Sequence, residues 1–206
     1  MLKLHFAPLT RSIRIKWLLE ELELPHEIVR VAYNRDGDKG FAQDTPAGNF
    51  PYLEDGNVGL SESGAIVQHV LEKYGEGRLE PQIDSPDRPA YLQWLHFSEG
   101  TAANAINTIV WLTLYRDDGE KHRAIIDAVR GSADQTFDKV EHVVSAEPYL
   151  AGEAFTAADV MMGFTLWSAK MLNVLTDKHP HTVAYLDRLM ARPAFQKAMA
   201  ESQGQS

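Results

Sequence analysis

The chain has 206 residues, of which 44% are hydrophobic and 24% charged; this folds around an apolar core and excludes a disordered polymer. Lys and Arg total 20 against 29 Asp and Glu, and a net charge of −9 argues against a nucleic-acid partner, whose phosphates call for basic patches. Cysteine is absent, which removes disulfides, thiolate metal sites and every mechanism with a protein thiol nucleophile.

Leu2, Leu4 and Phe6 alternate as a strand should. Residues 12–23 follow as a helix with an apolar stripe of Ile13, Trp17, Leu18 and Leu22. Lys3, Arg11, Arg14 and Lys16 interrupt any secretory h-region here, and no later apolar run approaches the roughly 18 residues that span a bilayer, so a cytoplasmic protein without membrane partners is expected. After Pro25 a second strand spans 27–32, then a polar loop rich in Gly and Asp covers 34–40. Two short apolar runs around Asp55-Gly56-Asn57 read as a β-hairpin. A helix over 62–74 carries Ile66, Val67, Val70, Leu71 and Tyr74 on one face, with Gly75 as its stop. The order is βαβ, then ββα. Residues 77–89 hold Pro81, Pro86 and Pro89 and have linker composition. Everything beyond reads as helix, at about 88–116, 121–146, 157–172, 180–191 and 194–202. This divides the chain into a mixed domain over 1–79, a linker over 80–86 and an all-α domain over 87–206. Eight histidines form no metal-binding motif; the nearest pair, His179-Pro180-His181, reads as incidental surface, and no metal is expected.

Four constellations are candidates to carry chemistry. In the turn Ala7-Pro8-Leu9-Thr10-Arg11-Ser12, two hydroxyls sit where a helix starts; one serves as a cap, or one donates to an anion aided by the helix dipole and nearby arginines. Phe50-Pro51 enters a strand either as a cis bond beside a ligand or as an edge-strand proline with none. Ser61-Glu62-Ser63-Gly64 opens a helix, where Ser61 is a capping candidate, or where free N–H groups take a carboxylate while Glu62 takes an ammonium. Thr156 and Asp159 have capping-box spacing and start a core helix, a structural reading.

Taken together and in order, these pieces resemble the glutathione transferase superfamily. The match runs through 8–21, through Gly48-Asn49-Phe50-Pro51-Tyr52-Leu53-Glu54-Asp55-Gly56, through Ser61-Glu62-Ser63-Gly64-Ala65-Ile66 and through Phe155-Thr156-Ala157-Ala158-Asp159. The resemblance implies an α/β thioredoxin-like N-terminal domain, βαβαββα, followed by an all-α domain, in a homodimer. It implies glutathione as co-substrate and no further cofactor. Phe50 would hold the cysteinyl backbone beside Pro51, Glu62 and Ser63 the γ-glutamyl end, and Asn49 and Lys39 the glycyl end. The chemistry implied is activation of the glutathione thiol for attack on small hydrophobic electrophiles, in a detoxifying role and with peroxidase activity left open. Tyrosine-using classes place their phenol near the end of strand one, where Phe6 stands without a hydroxyl, and cysteine-using classes are excluded. That leaves a hydroxyl arrangement like that of bacterial-type, theta-, delta- and phi-like members: Thr10 first, Ser12 next, with Arg11 assisting by charge. The electrophile site is expected between the domains, at Leu9, Trp111, Leu114 and Tyr115. Another glutathione-dependent enzyme, an isomerase or dehalogenase, remains open beside it, as does a non-catalytic scaffold; a thiol–disulfide oxidoreductase does not, for want of cysteine.

Overall fold

The computed structural model describes residues 1–31 and 45–203. It resolves into two compact units, Met1–Glu80 with Met190–Ser206, and Pro81–Leu189.

The first unit is built on a four-stranded sheet of β1 (Leu2–Phe6), β2 (His26–Arg30), β3 (Tyr52–Asp55) and β4 (Val58–Ser61), in the order β2-β1-β3-β4. β1 runs parallel to β2 and antiparallel to β3, and the β3–β4 hairpin turns at Gly56 with φ 63°, a conformation glycine adopts without a Cβ penalty. Leu2, Leu4 and Phe6 are buried, as their alternation predicts. The helices of this unit are α1 (Ser12–Glu21), α2 (Ser63–Tyr74) and, from the far end of the chain, α8 (Pro193–Ser202). The mixed sheet with its helices is the thioredoxin-like arrangement that the resemblance implies. The helix that the resemblance implies between β2 and β3, and the polar loop expected over 34–40, fall on residues outside those described.

α1 is buried from Ser12 to Leu19 on all sides, more than a single apolar stripe provides. The cause is α8, which covers its outer face: Trp17 meets Phe195 edge-on at 4.9 Å, and Glu21 takes both arms of Arg192 at 2.6 and 2.8 Å. α2 buries Ile66, Val67, Val70 and Leu71, as its periodicity predicts. Gly75 follows it with an ordinary right-handed φ of −73°, and the left-handed residues are the next two, Glu76 and Gly77. Glycine is required at 75 for space: a Cβ there would lie 2.6 Å from the Leu71 carbonyl oxygen.

The second unit is helical: α3 (Arg88–Phe97), α4 (Ala103–Leu114), α5 (Arg123–Val144), α6 (Ala157–Met171) and α7 (Pro180–Met190), whose last residue falls in the first unit. The single helix predicted over 88–116 is interrupted by a π-helical turn, Ser98–Ala102, where the Ser98 hydroxyl donates to the Trp94 carbonyl at 2.7 Å. α6 is the buried centre, with Ala157 to Leu166 all inaccessible.

Candidate functional site

Strand register brings three of the four constellations to one end of the sheet. His5 pairs with Tyr52, so the turn after β1 lies beside Pro51 at the start of β3. Tyr52 pairs with Ser61, which sets Glu62 and Ser63 on the other side of the same strand. Phe50, 7% exposed, packs with Ala7 and Val31, and so joins the proline loop to the turn.

In that turn the two hydroxyls have different surroundings. Ser12 is buried; its Oγ accepts the Ala7 N–H at 3.2 Å and donates to the Ala7 carbonyl at 3.0 Å. Thr10 is half-buried; its Oγ1 donates to the same carbonyl at 2.8 Å, lies 2.7 Å from Ser12 Oγ and accepts the Ser12 N–H at 3.3 Å. Each hydroxyl has one proton. With Ser12 holding the Ala7 carbonyl, the Thr10 proton is available to an outside acceptor without orphaning that oxygen. α1 has Arg11 at its N-cap position, so neither hydroxyl residue occupies it. Arg11 is half-buried. Leu9 has φ +60° and is 57% exposed, and its N–H donates to Ser202 Oγ at 2.9 Å.

The Phe50–Pro51 peptide is cis. The loop before it is closed by Thr45, whose Oγ1 donates to the Asn49 carbonyl at 3.0 Å and whose own carbonyl accepts the Gly48 N–H at 2.9 Å. Gly48 has φ +67°, which glycine allows. Asn49 is half-buried, and its side-chain oxygen has no hydrogen-bond partner among the described residues. Lys39 lies outside the described residues.

Glu62, exposed, is the N-cap residue of α2; Ser61, the capping candidate, precedes that position. Glu62 has φ +71° and ψ 114°, outside the regions a non-glycine residue ordinarily adopts, and its side chain makes no capping bond. Ser63 is buried to 3% exposure, and the N–H groups of a first helical turn point out of the helix end, where the helix dipole favours negative charge. α2 is fixed to the hairpin by Asp55, 6% exposed, which accepts from His69 Nε2 at 2.8 Å, Lys73 Nζ at 2.5 Å and the Tyr74 hydroxyl at 2.7 Å. Burial pushes the Asp55 carboxyl up, but these donors outweigh it and hold it well below the usual carboxylate range.

The fourth constellation is structural. Thr156 and Asp159 form the capping box of α6, and Asp159 also accepts from the Leu150 N–H at 3.0 Å and the Tyr185 hydroxyl at 2.6 Å. The residues expected at the electrophile site are, in the first unit, the exposed Leu9, and in the second, Trp111, Leu114 and Tyr115 on and just after α4. Trp111 is 39% and Leu114 48% exposed, while Tyr115 is half-buried and its ring stacks on Trp111 at 6.1 Å. Burial pushes the Tyr115 phenol up. α4 turns Ile106, Ile109 and Leu112 inward instead. Two grooves in the second unit, of about 410 Å³ beside Thr101, Asn104 and Thr136 and about 390 Å³ beside Trp94, Phe97 and Lys139, contain none of these residues.

His179-Pro180-His181 is not incidental surface. His179 is 1% exposed and bonded to Asp138 at 3.0 Å, and His181 meets Glu141 at 2.7 Å. Among the described residues no cluster of His, Cys, Asp and Glu has metal-binding geometry. No helix among them is long and apolar enough to cross a membrane. Sequence reasoning missed Ser202, since nothing in a helix-ending Glu-Ser pair points to a turn nearly two hundred residues earlier.

Comparison with known proteins identifies the family. The chain matches the glutathione S-transferase N-terminal domain over residues 2–72 and the glutathione S-transferase C-terminal domain over residues 102–193. It is 30% identical to glutathione S-transferase 3 of Schizosaccharomyces pombe over 187 residues, 82% of this chain and 75% of that protein. It is 29% identical to glutathione S-transferase GstB of Escherichia coli, over 92% of this chain and 93% of that one. Among solved structures it superposes with a TM-score of 0.83 at 25% identity on the glutathione transferase URE2P8 from Phanerochaete chrysosporium with oxidized glutathione, covering 98% of this chain and 95% of that one. Both family models and these relatives agree with the fold, and the chain belongs to the glutathione S-transferase family of enzymes.

Proposed function

We propose that this chain binds reduced glutathione at the sheet end formed by the turn, the cis-proline loop and the α2 N-terminus, and joins it to small hydrophobic electrophiles, with Thr10 as the thiol-activating donor. The observation that carries the reading is the division of labour in the turn: buried Ser12 holds the Ala7 N–H and carbonyl, so that half-buried Thr10 can turn its proton from that carbonyl to a ligand without orphaning the oxygen. A free thiol with pKa of about 8.5 is only a few per cent ionised at neutral pH. A hydrogen bond from Thr10 Oγ1 to sulfur favours the thiolate, and the Ser12 N–H on the same oxygen polarises that donor further. The thiol proton leaves to solvent, the sulfur lone pair forms the bond to the electrophilic carbon, and a leaving group such as halide departs with its bonding pair. Nothing beyond the two substrates is consumed. Arg11 adds positive potential near the sulfur.

Binding follows from the same frame. Phe50 pairs main chain to main chain with the cysteinyl unit, Ser63 and the α2 N–H groups take the γ-glutamyl carboxylate, and Glu62 takes its ammonium. Asn49, together with Lys39, serves the glycyl end. In the first unit, the exposed Leu9 beside Thr10 is the residue assigned to the apolar acceptor. URE2P8 in its complex with oxidized glutathione, at 25% identity, supports the ligand class. The assembly in this reading is a homodimer, which sedimentation at micromolar concentration tests directly.

Calorimetric titration with reduced glutathione, paired with a chloro-nitrobenzene turnover assay, tests the reading. Wild type binds, and Glu62→Ala weakens binding about 10- to 100-fold, the usual worth of one charge-assisted hydrogen bond. A wild-type chain that shows no binding of glutathione at millimolar concentration would sink the site and leave the scaffold reading in its place.

A further inference from the structure

We propose that Ser202 is a positioning residue for the thiol-activating turn: its hydroxyl, delivered by the last turn of α8, holds the Leu9 N–H and so fixes the orientation of Thr10. The inference rests on the reading of Thr10 given above.

Leu9 sits at φ +60°, a conformation that disfavours a side chain with a Cβ. Its side chain is 57% exposed, so packing does not hold it there. The Leu9 N–H donates to Ser202 Oγ at 2.9 Å, and Ser202 is only 8% exposed. The Pro8–Leu9 peptide is therefore held by this bond, and the chain beyond Leu9 is fixed at its other end by the Thr10 and Ser12 bonds to Ala7.

The acceptor is itself rigidly placed. Phe195 against Trp17, Arg192 on Glu21 and Lys197 at 3.4 Å from Glu20 dock α8 along α1. Beside Ser202, Glu201 receives Arg30 from the last residue of β2. Two successive residues of one helical turn thus reach the end of β2 and the turn after β1. Loss of the Ser202 hydroxyl releases the Leu9 N–H and lets the turn relax toward negative φ, which rotates the Leu9–Thr10 peptide. The consequence falls on the orientation of the Thr10 donor, and so on the thiolate, more than on glutathione affinity, since the clamp residues lie on other segments.

Steady-state kinetics and the pKa of bound glutathione on Ser202→Ala and Ser202→Thr test this. Ser202→Ala lowers kcat about 5- to 10-fold with KM for glutathione within about twofold, and raises the bound thiol pKa. Ser202→Thr, which restores a hydroxyl, restores both. Arg192→Ala, which loosens α8 at its other end, lowers Tm and leaves the thiol pKa in place. In the wild-type chain, the Leu9 amide exchanges with deuterium slowly. Unprotected exchange at Leu9, or a Ser202→Ala chain with wild-type kcat and thiol pKa, overturns the assignment. Thr10→Ala measured alongside separates the two claims. If it keeps full turnover, the reading of Thr10 falls and this one with it. If it loses turnover while Ser202→Ala does not, the positioning role alone falls.

Discussion

Thr10 and Ser12 stand two positions apart and carry the same functional group, so their chemistry separates them only through what surrounds each hydroxyl. Thr10→Ala removes one hydrogen bond to a developing charge, and kcat is expected to fall about 10- to 100-fold with little change in KM. Thr10→Ser keeps most of the activity. Ser12→Ala acts differently: it strips the Ala7 N–H of a buried acceptor and lowers stability by about 1–3 kcal/mol, visible in denaturant titration before any assay. The sequence shows both hydroxyls at the turn but not which is spent. Burial decides that: Ser12 is closed in against Ala7 while Thr10 stays half-exposed, a difference the sequence does not carry. Glu62 is the reverse case. Its motif is legible in sequence, whereas its positive φ is a backbone property that a glutamate gives no sign of.

Elements were legible where periodicity decides them and illegible where a side chain interrupts it. The stripe on α2 and the turn at Asp55-Gly56-Asn57 have local causes, and both stand in the structure. The π turn at Ser98–Ala102 breaks a continuous apolar pattern that reads as one helix. The start of α7 is another element set from outside. Glu141 on α5 accepts the His181 N–H at 3.0 Å, the Thr182 N–H at 2.7 Å and the Thr182 hydroxyl at 2.7 Å. Burial pushes the Glu141 carboxyl up, yet these bonds outweigh it and hold it at about 2, below its ordinary 4.5. A depressed carboxylate stabilises the fold fully above its unfolded value, and that stability is lost as pH falls from 4.5 toward 2. Glu141→Ala should therefore cost on the order of 2 kcal/mol at neutral pH and flatten this part of the acid-unfolding curve. A wild-type acid profile for the variant would contradict the assignment.

At the scale of the whole molecule, the compact units divide after Glu80 and again after Leu189. The return of the chain at Met190 is what sequence does not show, because α8 has the same helical pattern as the helices of the other unit. Its docking makes the first unit depend on both ends of the chain. Phe195, 4% exposed, is the anchor, and Phe195→Ala should destabilise the first unit by about 3–5 kcal/mol in chemical denaturation. If α8 were merely an appendage, that substitution would cost little and α1 would keep its protection from hydrogen exchange.

The most direct measurement is the pH titration of thiolate absorbance in glutathione bound to the wild-type chain and to Thr10→Ala. A donor at Thr10 predicts a bound thiol pKa about one to two units below the free value of about 8.5, returning toward that value in the variant while binding persists. Equal pKa values in the two chains would contradict Thr10 as the activating group.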